Sequence, residues 1–356
     1  MLDAISIFFL TFHTFAAVVG CSLNGIVLFL AIFRTPKVDQ AHSQSRLRLQ
    51  AIAAYTTILL NFAITDFLAC FTDFFIQMRH IPAGFTMAYM SRGLCTRIGP
   101  HFCYFVYSIN ISLVAHGLWS LLLGFAYRYY ILFHPSPTRK TLIITILIIY
   151  IPSFVQMWTF LLADDDPVEI KRILMERFPD YHLENETVCG TIDIIEPSAL
   201  YTILHMTCPI TPVYIVIWIL RKKIIQKLVS NSKDMSSKTR EMHKQLLKAL
   251  TWQAIIPGFY GMSIASYVMG QFFYSHPVFE YTTLTGFLFM PVLSPLSCLI
   301  FIQIYRKRVL SWWYKIVGKP IPEEWLSVLN TSKIGASTNQ VSSVAHSNSD
   351  VVKPKH

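Results

Sequence analysis

Seven long apolar stretches, and the polar segments between them, decide what this chain can become. They lie near residues 6–33, 51–76, 101–127, 141–163, 197–220, 246–270 and 281–304. A hydrocarbon core about 30 Å thick is crossed by about 20 apolar residues in helical form, and each stretch is long enough. The fourth contains LIITILIIYIPSFV, without a single charge. Only 14% of the 356 residues are charged, against about 25% in soluble domains. A soluble enzyme, a disordered chain and a collagen-like fibre are thereby excluded. Pro152, Pro209, Pro212, Pro257, Pro291 and Pro295 all fall inside the stretches. Such prolines would break helices in water; in a membrane bundle, neighbouring helices re-satisfy the freed backbone groups. The first stretch lacks a basic leader and runs too long for a signal peptide. The fold class is therefore an all-α membrane protein, a bundle of seven transmembrane helices.

The charges set the direction. Segments 34–50, 128–140, 221–248 and 305–356 carry 24 of the 30 Lys and Arg. Ten acids fall between Asp164 and Glu196, on the other side. Basic loops stay in the cytoplasm, so the N-terminus is expected outside and the C-terminus inside. The net charge of +10 then reads mostly as a topology signal, with a share for an intracellular partner, and not as nucleic-acid binding. Asn185-Glu-Thr187, in the acidic loop, is a glycosylation sequon. Residues 305–318, YRKRVLSWWYKIVG, interleave basic and apolar residues and suit a helix lying on the membrane face. Residues 1–319 form the seven-helix body, and 320–356, rich in Ser, Asn and Thr, read as a disordered cytoplasmic tail.

Some residues carry more than hydrophobicity. Asp66 lies deep in the second stretch, where a carboxylate is costly without a partner; Asn24 and Ser294 are the candidate partners in a polar core. Asp73, two turns on, is expected to be solvated near the outer end. Arg128 closes the third stretch in FAYRYYILFHP, where an arginine can also simply reach the headgroups. Among the sequence motifs there is no His-Glu-x-x-His, phosphate loop or clustered Cys/His set, so no catalytic residue, metal or cofactor is expected. A transporter or channel for a small solute is the competing reading. It would call for a relay of intramembrane acids or histidines, whereas His13, His116 and His205 are scattered over different stretches.

Asn24 in SLNGIVLFLAI, Asn61 and Asp66 in NFAITDFL, and Arg128-Tyr129 with Pro135 resemble, in order, the marks of rhodopsin-like G-protein-coupled receptors. Ser294-Pro295 stands where those receptors carry Asn-Pro. Tyr127 replaces the usual acid before the arginine, and the sixth stretch reads TWQAIIPGFYG without Cys-Trp-x-Pro. GLCTRIGPHFCYFVYS, HGLWSLLLGFAYRYYILFHPSPTRKT, IIYIPSFVQ and PVLSPLSCLIFIQIYRKRV are similar to the nematode serpentine chemoreceptors of class delta.

The resemblance implies a plasma-membrane chemosensory receptor, placed by its family in sensory cilia. Such a receptor binds a small, odorant-like molecule and activates a heterotrimeric G protein. It also implies that Cys103, 25 residues before Arg128, is tied to the second outer loop, whose one cysteine is Cys189; Cys95 is the rival partner for Cys189. Arg128 and Tyr129, with Arg221, Lys222, Lys223 and Lys227, are expected to form the coupling surface, bordered by Lys244 and Lys248. Counting back from Arg128 by five helical turns reaches Asn110, with Tyr107 one turn further out. With His205 on the fifth helix and Tyr260 and Tyr267 on the sixth, these are the expected polar groups of a mostly apolar ligand pocket.

Overall fold

The computed structural model describes residues 4–34, 43–230, 248, 251–252, 255–301 and 303–330. The helices are α1 (Ala4–Arg34), α2 (Ser43–Ile76), α3 (Pro100–Tyr130), α4 (Arg139–Leu161), α5 (Pro167–Arg177), α6 (Pro197–Thr207), α7 (Ile210–Ser230), α8 (Ile256–Val268), α9 (Pro277–Phe301), α10 (Gln303–Ile316) and α11 (Glu323–Asn330). Six of the described segments are long and apolar enough to cross a membrane, α6 and α7 counting as one. The seventh is α8, which runs on into a π-helical turn at Met269–Phe273.

The side chains of α4 show which solvent the bundle is built for. Ile144, Leu147, Ile148, Ile151, Phe154 and Trp158 are exposed, while Ser153 and Gln156 are buried. This is the reverse of a helix on a water-soluble protein, and it is stable only where the surroundings are hydrocarbon. Helix α3 occupies the middle of the bundle and is buried along most of its length. Asn24 of α1 ties the bundle to the kink of α9. Pro295 has no N–H to give the carbonyl four residues back; that carbonyl belongs to Pro291, and the Asn24 amide donates to it at 2.9 Å. A hydroxyl hydrogen bond from Ser294 reaches Asp66, which is buried. The expected polar residues thus lie at one level of the bundle. The fifth span is broken between α6 and α7 because Pro209 and Pro212 each remove a helical donor.

One end of the bundle is closed by a three-stranded antiparallel sheet that the sequence reading did not contain. Strands β1 (Met78–Ala83) and β2 (Thr86–Ser91) form a hairpin around Gly84-Phe85, and β3 (Thr187–Thr191) from the acidic loop pairs with the far edge of β2. Gly84 takes φ +72° at the turn, a conformation that favours glycine. At Gly190 a Cβ would sit 2.3 Å from the Met87 carbonyl oxygen, so only glycine lets β3 approach β2 there. Alternate residues face opposite ways. Tyr89, Met87 and Cys189 join the helical core, while Ile81, Ala88, Met90 and Val188 pack beneath α5 with Ile170 and Leu174.

The sheet settles the cysteines. Cys95 and Cys103 form the disulfide, with Cα atoms 5.1 Å apart, joining the turn before α3 to its first turn. The expected Cys103–Cys189 bridge is therefore corrected, and so is the rival Cys95–Cys189 pairing. Strand pairing sets Cys189 opposite Tyr89, its thiol directed at the Tyr89 carbonyl, 3.8 Å away. Burial pushes this thiol's pKa up. Two further expectations change. Asp73 is buried, not solvated: its carboxylate lies 3.0 Å from His13 Nδ1, and His13 Nε2 lies 2.9 Å from the Thr285 hydroxyl. Within the tail, Glu323–Asn330 is helical, with acids in its first turn, which suit the positive end of a helix, and Trp325 packed edge-on to Tyr314 of α10 at 5.4 Å. The remainder of the tail, 331–356, lies outside the described residues.

The sheet is clamped to α9 by a buried ion pair. Arg79 of β1 donates to Glu280 at 2.6 Å, and the Tyr181 hydroxyl donates to the other Glu280 oxygen at 2.8 Å. The guanidinium carbon lies 4.7 Å and 5.0 Å from the ring centres of Tyr181 and Tyr281. Removing one member of such a pair strands the other charge, at a cost of about 3–5 kcal/mol. Glu280→Ala is accordingly expected to lower the melting temperature of the solubilised protein clearly, and Arg79→Met with Glu280→Leu to recover most of the loss. A double variant no more stable than the single one would contradict the clamp. For the cysteines, non-reducing peptide mapping is expected to return a Cys95–Cys103 peptide, with Cys189 alkylated only after unfolding. A peptide linked through Cys189 would contradict the assignment.

Candidate functional site

Beneath the sheet lies a cavity of about 60 Å³. Its roof is His80, Met87 and Tyr89; its walls come from α3 (Tyr107, Ile111), α4 (Phe160), α6, α8 and α9. Strand pairing delivers the roof, since His80 and Tyr89 are cross-strand partners and their rings lie 5.5 Å apart. Tyr107 meets Tyr89 at 4.5 Å between ring centres. Tyr104, one turn outward on α3, anchors this corner: its hydroxyl donates to the Phe160 carbonyl at 3.1 Å and lies 3.2 Å from the Thr191 hydroxyl.

Of the residues expected to form the pocket, Tyr107 and Tyr267 line the cavity. Asn110 stands beside it, on a void of about 10 Å³ shared with Asp73 and Tyr107. Its amide donates to the Ala69 carbonyl at 3.0 Å and the Thr72 hydroxyl at 2.9 Å, so it ties α3 to α2. His205 and Tyr260 are not among the lining residues. His205 stacks on Tyr201 at 5.9 Å, and the Tyr260 hydroxyl donates to the Met206 sulfur at 3.3 Å. The break at Cys208-Pro209 leaves Thr202, Ile203, Met206 and Thr207 of the α6 end facing inward instead. His80, Tyr89 and Met87 were missed by sequence reasoning. The Gly-Phe turn between MRHIPA and TMAYMS was the available signal, since a two-residue turn with glycine marks a hairpin.

The cavity carries no charged side chain among its lining residues. His80 is 2% exposed, and burial pushes its pKa down to about 3, so the imidazole is neutral at physiological pH. No group of three or more His, Cys, Asp or Glu among the described residues is arranged to hold a metal.

At the other end of α3, Arg128 is buried. Its guanidinium carbon lies 5.9 Å from the Tyr55 ring and 6.0 Å from the Phe125 ring. It lines a void of about 10 Å³ with Tyr55, Phe62, Tyr127 and Cys298. Tyr127, in the place of an acid, has its hydroxyl 3.1 Å from that of Ser136. Tyr129 and Phe133 turn toward α7, where the ammonium groups of Lys223 and Lys227 lie 5.9 Å and 5.3 Å from their respective ring centres. Lys222 instead covers Trp218 at 5.9 Å, and Arg221 donates to the Thr251 hydroxyl at 3.2 Å. Lys248 is exposed, and Lys244 lies outside the described residues. The basic run therefore brackets the Arg128 end of α3. Asn185 is exposed on the sheet side of the bundle.

Comparison with known proteins follows this geometry. Residues 9–311 match the family described as serpentine type 7TM GPCR chemoreceptor Srd. Serpentine receptor class delta-19 of Caenorhabditis elegans is 38% identical over 88% of this chain and 91% of its own length. Serpentine receptor class delta-18 of the same organism is 37% identical over 92% and 99%. Squid rhodopsin superposes with a TM-score of 0.60, covering 93% of this chain and 87% of its own at 12% identity, a likeness of fold alone. A seven-helix bundle, an α3 buried along most of its length and a family match over most of the chain lead to one conclusion: the chain belongs to the Srd family of serpentine seven-transmembrane G-protein-coupled chemoreceptors.

Proposed function

We propose that this receptor sits in the plasma membrane with the sheet outside, binds a small, weakly polar molecule in the cavity beneath it, and activates a heterotrimeric G protein at the Arg128 end. The single observation that carries this reading is the path of α3. One buried helix contributes Tyr107 and Ile111 to the cavity and Arg128 to the basic end. A ligand can shift an equilibrium only by binding one conformation better than another, and a helix shared by both ends gives it that leverage. Outward movement of α7 and α8 would uncover Arg128 with Tyr129 and the flanking Lys223 and Lys227. The chain then works as a sensor and not as an enzyme. Family resemblance places it in the cilium of a sensory neuron.

The orientation rests on loop charge, because basic segments are retained inside. Asn185 is expected to carry glycan, and Asn185→Gln to abolish the mass shift seen on glycosidase treatment. A shift that persists in that variant, with the 221–248 segment cleaved by protease on intact cells, would reverse the topology. For coupling, Arg128→Ala is expected to keep surface expression and ligand binding while nucleotide exchange on the G protein falls at least tenfold. Full exchange by the variant would refute the role. Ligand-evoked current in cells lacking G proteins would instead identify a channel.

A further inference from the structure

Two polar atoms on the cavity wall have no partner. His80 Nε2 and the Tyr267 hydroxyl are both buried, and neither makes a hydrogen bond. Their residues are 2% and 8% exposed, and their rings are neighbours, 5.4 Å between centres. Tyr89 and Tyr107 pack against each other, 4.5 Å between ring centres. The Thr202, Thr207 and Thr283 hydroxyls are occupied, donating to the carbonyls of Ser198, Ile203 and Phe279 in their own helices. A buried polar group left unmet costs about 1–3 kcal/mol, and two such groups side by side on the cavity wall mark where a ligand atom belongs.

We propose that the cavity receives an uncharged, mainly apolar small molecule by one oxygen function, a carbonyl or a hydroxyl, held between His80 Nε2 and the Tyr267 hydroxyl. This rests on the reading of the cavity as the ligand site and adds the chemical class of the ligand. A carbonyl oxygen accepts from the Tyr267 O–H and, in the Nε2–H tautomer, from His80. A ligand hydroxyl accepts from Tyr267 and donates to His80 in the other tautomer. Either way both orphans are satisfied by one atom.

Charge is selected against. The nearest ions are already consumed, Arg79 by Glu280 and Asp73 by His13. An ammonium or carboxylate entering here would lose its hydration without gaining a counter-ion, which is far costlier than burying a neutral oxygen. The body of the molecule would rest on Ile111, Phe160, Leu284 and Phe287. One water needs about 10–15 Å³, so the space admits a molecule of about five or six non-hydrogen atoms.

The test uses five probes of five or six non-hydrogen atoms, 2-pentanone, 2-pentanol, pentane, 2-aminopentane and butanoate, with the full-length receptor in lipid nanodiscs. Saturation-transfer NMR is recorded for wild type, Tyr267→Phe and His80→Phe, and nucleotide exchange on a purified heterotrimeric G protein is measured separately. Expected is a receptor-specific signal from 2-pentanone and 2-pentanol, weakened at least tenfold in apparent affinity by either substitution. The hydrocarbon, the amine and the carboxylate are expected to give only the signal that both variants also give. Ranking the five probes on wild type needs no variant and stands even if one fails to fold. Specific binding of the amine or carboxylate, pentane binding as well as 2-pentanone, or no specific signal from either oxygenated probe would overturn the assignment. Specific binding of a neutral oxygenated probe without nucleotide exchange would support this chemistry while refuting the signalling role. Exchange driven by the amine alone would do the reverse.

Discussion

The pairing of β3 with β2 is the interaction on which the functional half of the molecule depends. It takes two loops that sequence separates by about a hundred residues and fixes them in one register, Tyr89 against Cys189 and Ala88 against Gly190. That register turns Tyr89 and His80 toward the bundle and Ala88, Val188 and Ile81 toward α5. A slip of one residue would exchange the two faces, placing Met90 over the cavity and Tyr89 beneath α5. It also keeps Cys189 at the Tyr89 carbonyl, so the disulfide forms locally between Cys95 and Cys103. The Arg79–Glu280 pair and Tyr181 then hold the sheet down on α9.

Beneath this roof several polar residues are met by a neighbouring element. Asn24 answers the carbonyl that Pro295 leaves open. Asn110 answers α2, His13 joins Asp73 to Thr285, and Tyr104 gathers the ends of α4 and β3. In hydrocarbon every backbone and buried polar group must find a partner inside the protein. His80 and Tyr267 leave polar atoms unmet beside the cavity of about 60 Å³. This coincidence separates them from Asn110, whose amide is already used.

The bundle was legible because lipid demands long apolar stretches that no other fold needs, and longer strings such as GLCTRIGPHFCYFVYS and PVLSPLSCLIFIQIYRKRV were enough to identify the family. The sheet was not legible. Its strands are buried on both faces, so MRHIPA and TMAYMS lack the alternation of apolar and polar residues that announces a strand. Missing the sheet carried the other errors with it. Without strand register, the one loop cysteine looked free to reach Cys103, and His80 went unnoticed. Counting along α3 from Arg128 found the cavity-lining Tyr107, because a straight helix keeps its faces. His205 was chosen only as a polar group of the fifth stretch, and there Thr202 and Met206 face inward instead.

Hydrogen exchange of the receptor in nanodiscs tests the roof most directly, since a paired sheet and an unstructured loop differ in amide protection. The account predicts that amides across 78–91 and 187–191 exchange in the ligand-free receptor as slowly as those in the middle of α3, with the Cys189 and Met87 segments protected together. Exchange at loop rates in those segments, with α3 still protected, would contradict it.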